Sequence, residues 1–208
     1  MSDSAVDDQT PDRLITLSDG IFAIAMTLLV LDIRVPPGLD TTEFGSYLHK
    51  VLPQFGAYAL SFTILAGFWR DQRQILRLAL RFDALTLRLA LAGLGAIALI
   101  PFPTTLLSQY ASRPLAVVIY ASTVVLVDLL QVAVFLSLWR RPRLSRPISD
   151  RAARTILLDR GLSIVVFGAT LPIAFVSPRS ALWCWLALLP IGHLLARRER
   201  KEAAAERR

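Results

Sequence analysis

The side chains able to carry chemistry are few and scattered. His49 and His193 are the only two histidines, and they stand too far apart to suggest a metal-binding pair. Both read as interfacial or solvated imidazoles rather than ligands or proton sensors. The sequence has no HExxH, no GxSxG and no phosphate-cradling glycine loop. Cys184, the single cysteine, lies between Trp183 and Trp185, which excludes an intrachain disulfide or a cysteine metal cluster. No acid and base can be paired for catalysis, so the expectation is a protein that is not an enzyme and carries no cofactor. What remains is a set of polar groups in or beside apolar blocks: Ser18, Asp19, Thr27, Asp32, Arg88 and Asp128. Such groups are costly in hydrocarbon, and they mark ion pathways or helix pairing.

The elements that must position them are long and greasy. Of 208 residues, 54% are hydrophobic and 19% charged, which excludes a disordered or fibrous chain. The apolar residues gather in six blocks, Ile15–Ile33, Phe55–Trp69, Ala84–Leu107, Leu115–Trp139, Ile156–Val176 and Ala181–Ala196. Each is near the length that crosses a bilayer. The expected fold is an all-α integral membrane protein with six transmembrane helices, the second continuing as an amphipathic helix to about Leu80. Pro36, Pro37 and Gly38 end the first helix and start an external loop reaching about Pro53, while Pro142 and Pro147 make the start of the Arg140–Arg160 connection irregular.

The formal charge is +7, but the basic residues lie between the apolar blocks and form no aromatic-interleaved face, so nucleic acid is not an expected partner. Eighteen of the 23 Lys and Arg fall on one side of the six-span topology. By the positive-inside tendency both termini are cytoplasmic. Asp3, Asp7 and Asp8 give the start of the chain the wrong charge for a secretory signal. The organisation is thus a cytoplasmic tail over 1–12, a six-helix membrane domain over 13–197 and a basic cytoplasmic tail over 198–208.

On a helical wheel of the first span, Leu17, Gly20, Ile24, Thr27, Leu28 and Leu31 share one stripe and Asp19 lies on the far side. That stripe suits a lipid face, a helix contact or a pore lining. Asp19 and Arg88 sit at similar depth and are expected to pair, the alternative being that Arg88 snorkels to the headgroups. Asp128 has no depth-matched partner. It pairs across a subunit contact or lines a wet crevice.

The run from Arg13 to Ile33, RLITLSDGIFAIAMTLLVLDI, resembles the first-helix signature RxxxFSDGxFAIAxTLLVLDI of the prokaryotic transmembrane protein 175 family of potassium channels, with Leu17 in place of its Phe. Ser61-Phe62 through Phe68-Trp69 and the stretch PFPTTLLSQY over Pro101–Tyr110 extend the likeness across roughly the first 110 residues. The resemblance implies a homotetramer in the plasma membrane, with the first helices of four subunits lining the path for potassium ions. It also implies a constriction of aliphatic rings at Ile24, Leu28 and Leu31, beside the hydroxyl of Thr27.

The resemblance further implies a structural network of Arg13, Ser18, Asp19 and Trp69 at the inner end. Two positions depart from the family pattern: Gln72 replaces a His and Arg88 an Asn, turning a neutral network ionic. The implied function is a modestly selective potassium-permeable channel. A secondary transporter, which would need discontinuous helices and a midplane site, is the alternative.

Overall fold

The computed structural model describes residues 11–34, 37–38, 40–141, 143–178, 180 and 185. The first helix, α1 (Pro11–Leu28), tightens into a 3-10 turn over Leu29–Asp32. It is followed by α2 (Thr41–Leu78), α3 (Ala84–Leu99), α4 (Pro101–Tyr110), α5 (Pro114–Trp139) and α6 (Asp150–Val176). Among the described residues there is no strand, and five stretches are long and apolar enough to cross a membrane. The expected sixth span, with Cys184 and His193, lies outside the described residues apart from Trp185.

Three sequence expectations need correction. The stretch before Pro53 is helix rather than loop, so α2 is far longer than the apolar block Phe55–Trp69. It begins where the Asp40 carbonyl accepts the Phe44 amide at 2.8 Å, and Phe44, Leu48, Leu52 and Phe55 recur along it at helical spacing. Pro53 removes one donor without ending the helix. The third span is not one helix but two, α3 and α4, which meet at Pro101. Proline fits the first position of α4, where no intrahelical donor is needed. Finally, α6 starts at Asp150, capped by the Ser149 hydroxyl accepting from the Ala152 amide at 3.3 Å. Arg160, assigned from the sequence to the basic connection, therefore lies well inside a helix.

The packing centres on α5, which lies against α3, α4 and α6. Val117, Tyr120, Val124, Val127 and Phe135 are buried along it. From α3, Ala90, Gly93, Leu94 and Ile97 face this core. A Cβ placed on Gly93 would stand 3.7 Å from Leu130 Cβ, so the small residue permits the close approach that holds membrane helices together by contact. Ser61 on α2, Thr104 on α4 and Tyr120 on α5 join their hydroxyls at 2.9 and 3.0 Å, so these buried polar groups are satisfied beside the α3–α4 break.

At the arginine-rich end, the residues after α2 and after α5 form a short seam. Arg146 N donates to Leu78 O at 2.7 Å, Leu80 N to Leu144 O at 2.8 Å, and Ala79 bridges Ser145. Asp83 caps α3, accepting from the Thr86 amide and hydroxyl, and its second oxygen receives Arg141.

Candidate functional site

The face of α1 is set by its sequence period. Leu14, Ser18, Phe22, Ala25 and then Leu29 recur every three or four residues and are buried against the subunit. The complementary stripe is left uncovered: Leu17, Gly20, Ile24, Thr27, Leu28 and Leu31 are all exposed, Ile24 to 61% and Leu31 to 60%. The 3-10 turn matters here, because three residues complete one of its turns, so Leu31 is brought close to eclipsing Leu28. Thr27 donates its hydroxyl hydrogen to the Ile24 carbonyl at 2.9 Å. Its oxygen keeps its acceptor capacity on the uncovered face.

At the arginine-rich end of α1, Asp19 is anchored to α2. Trp69 Nε1 donates to Asp19 Oδ1 at 2.7 Å, and Arg73 Nη1 stands 4.0 Å from Oδ2. The Arg73 guanidinium also lies over the Trp69 ring, 5.5 Å from its centroid. Ser18 and Gln72 are buried, and the Gln72 amide nitrogen has no partner among the described residues. Arg13 is exposed in the first turn of α1.

The expected Asp19–Arg88 pair is not made within the subunit. Arg88 is exposed on the side of α3 opposite its buried Thr86 and Ala90, and Asp19 takes Arg73 as its cation instead. Arg73 is one of the basic residues after the second apolar block, whose charge by itself indicates only topology. Its spacing of four residues from Trp69 placed both on one face of α2.

A second ionic cluster joins the outer helices. Arg160 of α6 reaches Asp128 of α5, Nη1 to Oδ1 at 2.8 Å, and also pairs with Asp71 of α2. Ser163, three residues along α6, donates to Asp128 Oδ2 at 2.5 Å. Arg70 Nε binds Asp71 Oδ1 at 3.0 Å, and the Arg160 guanidinium lies over the Phe68 ring. Asp128 is fully buried and Arg160 nearly so. The partner missing for Asp128 is thus within the same subunit. The clue was the carboxylate itself, because a buried charge persists only when paired and hydrogen-bonded.

The architecture and these two clusters define a multi-span membrane protein that turns one apolar stripe of its first helix away from its own core. The model of the family "Endosomal/lysosomal potassium channel TMEM175" matches residues 13–101. A potassium channel from Streptomyces collinus is 32% identical over 170 residues, covering 79% of this chain and 82% of its own. One from Chamaesiphon minutus is 35% identical over 130 residues, covering 62% of this chain and 64% of its own. The crystal structure of a lysosomal potassium-selective channel TMEM175 homolog from Chamaesiphon minutus superposes with a TM-score of 0.74 at 26% identity, covering 88% of this chain and 96% of that one. The chain belongs to the TMEM175 family.

Proposed function

We propose that this chain is a potassium-permeable, modestly selective cation channel of the plasma membrane, formed by four copies with both termini in the cytoplasm. Four α1 helices surround the ion path, and Ile24, Leu28 and Leu31 form its narrow aliphatic rings. The observation that carries this reading is the continuous stripe of α1, left uncovered by its own subunit while every third or fourth residue on the other side is buried. Relatives named potassium channels support the choice of ion.

The mechanism requires no chemical step. Apolar rings too narrow for liquid-like water oppose ions by dewetting, and a small rotation or widening hydrates them. Potassium gives up its water more easily than the smaller sodium, so a ring without a carbonyl cage gives a modest preference. The Thr27 oxygen, whose hydrogen goes to the Ile24 carbonyl, replaces part of the lost hydration. Asp19, tied to α2, fixes where α1 enters the assembly.

The test is Ile24→Asn in liposome flux. A hydrated ring is expected to raise conductance and lower the preference for potassium over sodium; unchanged flux and selectivity would remove Ile24 from the path. Discrete single-channel current steps distinguish this reading from a secondary transporter, which would give saturable, coupled uptake.

A further inference from the structure

Beside the Asp71–Arg160 pair a cleft of about 180 Å³ opens between α2 and α6. It exists because α6 packs on α5 rather than on α2, leaving Arg160 to reach across. Its walls are divided. Leu60, Phe167 and Trp185 make one end apolar, and exposed Arg70 and Asp159 stand at the other. The cleft would hold about six waters at ~30 Å³ each, yet those at the apolar end would lack partners. An occupant must be apolar at one end and charged at the other.

The residues lining the cleft span the depth of one leaflet along α2. Leu60 and Arg70 are ten residues apart on α2, a rise of about 15 Å, which is half of a hydrocarbon core of about 30 Å. One end therefore lies near the midplane while the other reaches the headgroups on the arginine-rich side, the cytoplasmic leaflet in the orientation proposed above. The charges at the mouth are of both signs. Arg70, whose Nε is held by Asp71, can turn its terminal nitrogens to a phosphate and Asp159 suits an ammonium, while Arg160 is already shared between Asp71 and Asp128.

We propose that this cleft binds a zwitterionic aminophospholipid, with an acyl chain between α2 and α6, its phosphate on Arg70 and its primary ammonium on Asp159. Gly67 lines the same cleft, and a Cβ built there meets nothing within 4 Å. A side chain added at this position therefore starts into open space beside the acyl chain.

The protein would be reconstituted into vesicles of equal parts phosphatidylethanolamine, phosphatidylcholine and phosphatidylglycerol, re-extracted, and its retained lipids weighed by native mass spectrometry. This readout needs no ion flux, so it stands or falls apart from the channel reading. Wild type is expected to retain phosphatidylethanolamine selectively. Gly67→Leu is expected to lose it with no change in oligomeric mass. Asp159→Asn is expected to keep a lipid but lower the ethanolamine-to-choline ratio about tenfold, the loss of one charge-assisted hydrogen bond. Equal retention by wild type and Gly67→Leu would overturn the proposal. So would an Asp159→Asn protein with unaltered preference. If Gly67→Leu instead broke the oligomer while leaving lipid retention unchanged, the cleft would be a subunit contact.

Discussion

Replacing Arg160 by methionine tests the reading of the outer ionic cluster most severely. Methionine keeps much of the side chain's volume and its contact with Phe68 while removing the charge. Asp71 would retain Arg70, but Asp128, which has no solvent exposure, would be left with the Ser163 hydroxyl as its partner among the described residues. Breaking a buried pair from one side costs about 3–5 kcal/mol, because the surviving charge is uncompensated.

At roughly 2–4 °C per kcal/mol for a chain of this size, the Tm followed by intrinsic tryptophan fluorescence in detergent should fall by about 6–20 °C. The double variant Asp128→Leu/Arg160→Met removes both charges and should recover most of that loss, since an apolar replacement of a whole buried pair is often neutral. A double variant as unstable as Arg160→Met would refute the reasoning, as would an Arg160→Met protein melting with wild type.

Two further outcomes follow from the contacts. Trp69→Phe removes the Nε1 donor of Asp19 and should cost about 1 kcal/mol, less than is usual for a bond to a charged group because Asp19 is partly exposed; with Asp19→Ala, which removes the acceptor, it should be non-additive in Tm, and simple additivity would separate the two residues. The Thr86 hydroxyl, and to a lesser degree Arg141, hold the Asp83 carboxyl down at about 2 from 3.8, so this cap contributes fully above the ordinary carboxylate range and is lost as pH falls toward 2. Asp83→Asn should therefore lower Tm near neutral pH and match wild type once the pH falls below about 2; a gap that persisted there would show that the carboxylate charge is not what holds the cap.

The architecture was legible where hydropathy alone decides it. Leu115–Trp139 became α5 almost residue for residue, because a long apolar block in lipid must satisfy its backbone internally as helix. Proline was the weaker guide. Pro53 and Pro172 lie within helices, whereas Pro101 separates two, and the difference depends on neighbouring side chains that a local pattern does not contain. The stripe of α1 was visible as period, and its uncovered state depends only on which side the remaining helices take. Ion pairs were the least legible feature. Depth along a helix can be counted, but azimuth cannot: Arg88 is exposed on α3, and Asp19 is held by α2 instead.

Azimuth also explains why the two ionic clusters answer different experiments. On α2, Trp69 and Arg73 fall on one side, and Asp71 lies about 200° round from Trp69. The helix is therefore gripped by Asp19 of α1 on one face and by Arg160 of α6 on the other at nearly the same level. The arginine-rich end of α1 is thus tied by charge through α2 to α5 and α6. The opposite end leaves as a 3-10 turn that buries Leu29 and presents Leu31. Changes at Arg160 act on the tied end and on the stability of the whole bundle, whereas Ile24 sits on the exposed face of α1. Melting and flux consequently read separate parts of the structure, and a variant that altered both would indicate that the tied end of α1 had moved.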